Sequence, residues 1–327
     1  MTPYEEQVLA SWSVTAEPPF TVQFTQRLTQ QTGRLLHFVS AVTKRMQPKL
    51  AERITDFARG AIYTALEQAS TARQFERVEV ILRDFGSHAS TPTDIRMLPL
   101  DVKDATAERL FRTTRRTFTA QGAAAGLLTS ALGLVPGLQG LIAPAIVADL
   151  YVTLRLMAQC TVETGYSYGY TLHTPEDLPH LLVAMAPITA DTDLILAKMS
   201  AHLALREAGF TFVKSVGEHI SLRTVALSFP AVGQLVDLIA TRLAIGLLEQ
   251  QGTLLLPIAG AAVQGSIHAA FAQASYLQAS RYFQRQHLIE RYGEEEITRR
   301  EEQVYTNSAK KEEAKQFYSV MTSANEN

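Results

Sequence analysis

Residues 117–148, TFTAQGAAAGLLTSALGLVPGLQGLIAPAIVA, decide how the chain is read. No Asp, Glu, Lys or Arg occurs between Arg116 and Asp149, and Ala, Gly, Leu, Ile and Val dominate. As one helix rising about 1.5 Å per residue, such a run would be long enough to cross a bilayer. Pro136, flanked by Gly133, Gly137 and Gly140, and then Pro144 predict instead that it is cut into shorter helical pieces, because an internal proline loses an N–H and clashes with the preceding turn. A second uncharged stretch, from Gln250 to Ser280, is interrupted by Gly252, Pro257, Gly260 and Gly265. In both, small residues recur four apart, as in Gly122 and Gly126, Gly133 and Gly137, or Ala261 and Gly265. On a helix that spacing makes one smooth face, which lets two backbones approach closely in membrane bundles and tight soluble cores alike.

Outward from this block, apolar residues mostly recur at helical intervals, as in Phe57, Ile62 and Leu66 or Val78, Leu82 and Phe85. Strand-like alternation is brief and lacks the even spacing of a sandwich or barrel. The fold class expected is all-α: a multi-helix bundle in which two Gly/Ala-rich apolar helical hairpins pack together. Pro48 is expected to open a helix running to about Ser70, and Thr174-Pro175-Glu176-Asp177 to start another. Ser87 to Pro99 reads as a loop. After Gly293 come Glu294, Glu295, Glu296, Arg299, Arg300, Glu301 and Glu302, so residues 1–292 are expected to form the helical domain and 293–327 a charged tail, helical or disordered, that frays toward its end.

Composition excludes more than it identifies. Of 327 residues 46% are hydrophobic and 19% charged, and the net charge of −2 leaves no electrostatic footprint for nucleic acid. Cys160, the single cysteine, cannot supply a disulfide framework or a multi-thiolate metal site, and its apolar surroundings suggest an inert buried thiol. The first six residues lack the basic and apolar regions of a secretory signal, so residence inside the cell is the expectation. A mean hydropathy of +0.01 is low for a polytopic membrane protein yet permits a local hydrophobic wedge.

Charge is distributed unevenly. Lys103, Arg109, Arg112, Arg115 and Arg116 precede the first uncharged stretch, and Arg109, Arg112 and Arg116 share a helix face. A basic face beside an apolar segment suits an anionic leaflet, at about 1 kcal/mol per basic residue near the surface. An ordinary solvated face, with Asp104 and Glu108 offsetting some of the charge, is the competing reading. Nucleophile elbows, HExxH, phosphate loops and dinucleotide fingerprints are missing. His173, Glu176, Asp177 and His180 form the densest set of potential metal ligands, with Asp191 and Asp193 a second pair, but capping explains these acids and no metal or other cofactor is expected. Gln121, Asp149, Arg155, Gln159 and His268 lie in apolar surroundings and must be paired if buried. Gln121, Asp149, Arg155 and His268 are the candidates for a polar pocket, with helix ends at the surface as the alternative. Asp149 and Arg155, six apart, are out of phase and need partners on other helices.

In order and spacing the chain resembles the EcsC family. The resemblance rests on Tyr4-Glu5-Glu6 with Trp12, on the helix from Pro48, and on Asp104-Ala105 followed by Gly122 to Gly126, Ala148-Asp149-Leu150 and Tyr168-Gly169. It continues through Pro257-Ile258-Ala259-Gly260-Ala261-Ala262, Phe271 and Arg281-Tyr282-Phe283, covering roughly residues 4 to 292. Gln121 stands where the family pattern has Glu, and His268 where it has Asn. The family is named after a protein encoded beside an ABC transporter. The resemblance implies a helical protein at the cytoplasmic side of a bacterial membrane, with an ABC-type transporter as partner, and brings no catalytic residue.

Three functions follow as expectations. The first is a non-enzymatic, peripheral membrane protein whose Gly122, Gly126, Gly133, Gly137, Gly140, Gly260 and Gly265 segments contact lipid or a hydrophobic ligand, oriented by the arginine face. The second is a soluble carrier with an apolar cavity between the two uncharged stretches. The third, a hydrolase, requires Asp149 and His268 to converge with a serine such as Ser266. Oligomeric state stays open.

Overall fold

The computed structural model describes residues 1–14, 72–134, 142–171, 177–185 and 260–304, together with residues 60, 62, 64, 230, 233, 234, 236 and 237. It is an all-α bundle. In chain order the helices are α1 (Pro3–Val14), α2 (Ala72–Asp84), α3 (Pro92–Arg96), α4 (Leu100–Leu134), α5 (Ile142–Ser167), α6 (Leu178–Met185) and α7 (Gly260–Tyr292), and residues 294–304 are again helical.

α4 is the axis. Its 35 residues make a rod of about 52 Å, and α5 and α7 both pack along it. Both run antiparallel to α4: Asp104 and Thr114 meet Tyr168 and Glu163 on α5 and the turn after it, while Gln284 and Tyr276 on α7 meet Asp104 and Phe111. α5 and α7 therefore run parallel to each other. Phe118, Leu154, Tyr166, Leu181, Ala272 and Phe283 are among the residues that fill the core between them.

The two uncharged stretches do pack together. Gly265 on α7 sits so close to α4 that a Cβ there would lie 3.2 Å from the Thr119 carbonyl oxygen and 3.5 Å from the Ala123 Cβ. Gly122 and Gly126 are also buried. A helical glycine costs about 1 kcal/mol relative to alanine, and close approach of the backbones is what this cost secures. Between Leu100 and Leu134 nothing interrupts the helix, so the uncharged run begins inside α4. Pro144 falls in the first turn of α5, where its missing N–H breaks no bond. Pro136, Gly137 and Gly140 lie outside the described residues, as do Pro48, Thr174 to Glu176, Asp191 and Asp193.

The Ser87–Pro99 segment is only partly loop. Thr91 caps a single turn, α3: its side chain accepts the Asp94 N–H, the Asp94 carboxylate accepts the Thr91 N–H, and Pro92 opens the helix. At the end of α5 the Tyr170 N–H reaches the Gly165 carbonyl and the Gly169 N–H the Tyr166 carbonyl, with Gly169 at φ +85°. A side chain at Gly169 would also strike the Pro92 carbonyl, at 2.4 Å. That turn seats α3 against the end of α5. The charged region after Gly293 (φ +86°) begins as a docked helix, since Ile297 is buried in the common core and Arg285 holds Glu301 at 2.9 Å.

Candidate functional site

Buried polar groups gather at three levels of the bundle. The first level, where α4 starts and α7 ends, is the most extensive. Lys103 is only 1% exposed. Its Nζ donates to the Arg96 carbonyl at 2.7 Å and to His287 Nδ1 at 2.9 Å, and among the described residues no carboxylate forms an ion pair with it. Burial pushes this ammonium down to about 8, with the Arg96 and Arg291 charges in the same direction. His287 is held down to about 4, first by burial and then by the Lys103 charge. A neutral imidazole that accepts at Nδ1 carries its proton on Nε2, which points at Glu5 Oε1 3.7 Å away.

Glu5 is equally enclosed. Its Oε2 accepts the Thr2 N–H at 2.6 Å and the Tyr292 hydroxyl at 2.8 Å, and Arg291 stands 3.5 Å from Oε1. Burial raises the carboxyl, but the Thr2 and Tyr292 bonds outweigh it and the net shift is downward. Beside it, Asp104 accepts from Tyr4 at 2.7 Å, from Gln284 at 3.0 Å and from Tyr168. Burial still lifts Asp104 above the ordinary carboxylate range, and it lifts the Tyr4 and Tyr168 phenols as well. Trp12 donates to Gln284 at 3.2 Å, and Arg281 reaches the Trp12 carbonyl. So α1 is fastened to α4 and α7 by polar bonds as well as by buried Val8, Leu9 and Trp12.

At the middle level Glu163, 2% exposed, accepts from Thr114 at 2.6 Å, Gln159 at 3.0 Å and Arg77 at 2.5 Å. The Cys160 thiol lies alongside in the core and is raised well above its ordinary value by burial, so thiolate chemistry is suppressed there.

The third level holds two of the four residues expected to form a polar pocket. His268, fully buried, presents Nε2 to both Asp149 oxygens, at 3.2 and 3.3 Å, with the Thr153 hydroxyl 3.5 Å away. Gln121 and Arg155 are exposed and stand apart from this pair. Ser266 is exposed too. The acid and the hydroxyl meet the same ring nitrogen, whereas a nucleophile–base–acid relay needs them on opposite nitrogens. Chemically the pair is a clamp between α5 and α7.

Other expected features disperse. Asp177 pairs with Arg96 and accepts the Thr171 N–H at 2.8 Å, while His180 Nδ1 meets the Tyr282 hydroxyl at 2.7 Å. Among the described residues no group of His, Cys, Asp and Glu is arranged to hold a metal ion. All four arginines of the basic face are exposed. Arg109 pairs with Asp84 at 2.6 Å and Arg112 with Glu108 at 2.7 Å, whereas Arg115 and Arg116 have no ion-pair partner among the described residues. Farther along the same helix Leu127 and Leu128 are 62% and 56% exposed.

Lys103 and Glu5 were not distinguishable as buried from their local sequence, since each has charged neighbours that read as surface. Glu163 carried a signal: Asp149 and Glu163, fourteen apart, share one face of an otherwise apolar helix, and Arg155 does not. No family model, no curated protein and no solved structure matches the chain.

Proposed function

We propose that this is a non-enzymatic protein that docks on an anionic membrane surface through the distal half of α4. One observation supports this above others: the exposed face of α4 changes character along the axis. Arg112 and Arg116 give way to Ala120, Ala124, Leu127, Leu128 and Ala131, all exposed and without a charge among them. Arg116 and Leu127, eleven residues apart, lie within about 20° of each other around the helix and about 16 Å apart along it. Two guanidinium groups with no ion-pair partner among the described residues, above a pair of exposed leucines, suit headgroup phosphates over an acyl boundary. No described helix is long and apolar enough to cross a membrane, and this reading requires none. Gly265 supports it indirectly, because its close approach to Thr119 and Ala123 holds α7 against the helix that presents the leucines; Gly122 and Gly126 are buried.

The resemblance to the EcsC family points the same way, toward the inner face of a bacterial membrane and an ABC-type transporter as partner. The test is co-sedimentation of the full chain with phosphatidylcholine vesicles with and without phosphatidylglycerol. Binding should require the anionic lipid. Replacing Arg115 and Arg116 by Gln should weaken it roughly 30-fold, the equivalent of about 1 kcal/mol per arginine, and Leu127→Ser with Leu128→Ser should abolish it. Equal binding to neutral vesicles, or undiminished binding by either double variant, would overturn the proposal.

A further inference from the structure

Phe85 departs from the pattern of α2. It repeats the phase of Leu82 and Val78, three and seven residues back and both fully buried, yet it is 46% exposed. Its backbone is fixed by the turn that ends the helix: the Gly86 N–H donates to the Arg83 carbonyl and the Ser87 N–H to the Leu82 carbonyl, each at 2.9 Å, with Gly86 at φ +76°. The ring is thus held half out of the bundle beside α4, where the Arg109 guanidinium lies 5.9 Å from its centre and pairs with Asp84 at 2.6 Å.

Arg109 and Leu127 are eighteen residues apart on α4, which is five whole turns, so they leave the helix in the same direction at levels about 27 Å apart. Arg116 stands between them and within about 20° of both. Phe85, against Arg109, therefore marks one end of an exposed line that runs past the arginines to the leucines. The acids on this line, Asp84 and Glu108, are each held by an arginine, at 2.6 and 2.7 Å, while Arg115 and Arg116 have no ion-pair partner among the described residues. We propose that α4 lies lengthwise on the anionic bilayer, with Phe85 of α2 as a second apolar anchor at the opposite end of the arginine face from Leu127 and Leu128. This rests on the docking reading above and adds to it the orientation of the bundle and a contact from another helix.

Lying flat, the helix brings both anchors to the boundary between headgroups and acyl chains at once, with the guanidinium groups at the level of the phosphates. An aromatic ring beside a cation is well placed at that boundary, where its apolar body leaves water. Standing upright on its leucines, α4 would instead hold Phe85 about 27 Å away from the boundary. The two orientations differ at Phe85 and agree at Leu127. The far side of the bundle supplies the reference: Tyr276 of α7 stacks on Phe111, which lies about 140° around α4 from Arg116, and Leu277, 44% exposed, lies about 140° around α7 from the fully buried Ala272.

Tryptophan fluorescence of the full chain on vesicles of phosphatidylcholine and phosphatidylglycerol with brominated acyl chains, which quench an indole on contact, separates them. The variants are Phe85→Trp, Leu127→Trp and Leu277→Trp, with the buried Trp12 as a constant background. The added indoles of Phe85→Trp and Leu127→Trp should be quenched to a similar extent and that of Leu277→Trp should not. Phe85→Ser should weaken vesicle binding roughly fivefold, because about half of the ring leaves water on docking. Quenching in Leu127→Trp with none in Phe85→Trp would overturn the lengthwise orientation and leave docking through the distal half of α4 standing. Binding without quenching in either would overturn both. Quenching in Leu277→Trp, or undiminished binding by Phe85→Ser, would likewise overturn the orientation.

Discussion

Lys103 sits in a place that chain chemistry disfavours. A lysine ammonium sheds several kcal/mol of hydration on burial unless a carboxylate compensates it, and here a peptide carbonyl and an imidazole take that role. The consequence is a pH dependence with a definite sign. Folded, the group releases its proton near 8, while the unfolded chain keeps it until 10.5, so the unfolded state binds more protons in that window and stability rises with pH. The buried tyrosines oppose this above about pH 10, because folding raises their values and their unfolded forms ionise first. Urea unfolding of wild type and Lys103→Met at pH 8 and pH 10 should show the difference shifting toward wild type by about 2 kcal/mol; a constant difference would mean that Lys103 titrates normally. Arg115 and Arg116 present the opposite case, exposed charges at no desolvation cost with no ion-pair partner among the described residues.

Among the helices, α4 shows how one segment serves several purposes. Its first turns carry Lys103 and Asp104 into the buried network, its middle carries the exposed arginines and meets Gly265 of α7 at Thr119 and Ala123, and beyond that Leu127 and Leu128 are exposed. At Gly265 α7 comes close to the Thr119 carbonyl and Ala123 of α4. Valine there would push two methyl groups into the Thr119 carbonyl and Ala123, so Gly265→Val should cost roughly 1 to 3 kcal/mol as overpacking. Thermal unfolding followed by circular dichroism measures it, and a variant as stable as wild type would show that the contact relaxes freely. The stacked rings of Phe111 and Tyr276, 4.2 Å apart, fix the register one level lower.

The described bundle is polarised along α4. At one end α1, α3, the end of α7 and the 294–304 helix lock together through ion pairs and buried phenols; toward the other, α4 carries the exposed Leu127 and Leu128. A net charge of −2 does not by itself favour an anionic surface, so the proposed docking rests on the local arginines and should be weakened by salt. When cells expressing the full chain are fractionated, the protein should pellet with membranes and be released in part by high salt and fully by detergent. A chain found wholly in the supernatant at low salt would contradict membrane docking.

Sequence alone determined that the chain is helical, and it led to the expectation that the two uncharged stretches pack together through small residues and that Asp149 and His268, if buried, must be paired. Periodicity and volume carry this information, because they are properties of neighbours three and four residues apart. Which of the apparent surface charges is inside was decided only by tertiary structure. Lys103 reads as one more member of a basic segment, and Glu5 as half of an acidic pair, until α1 and α7 fold across the start of α4 and close over both. The same holds for Gln121 and Arg155, for which apolar neighbours left a pocket and the surface both open and which are exposed, since a helix has only one face toward its partners and the phase of that face depends on where the partners lie.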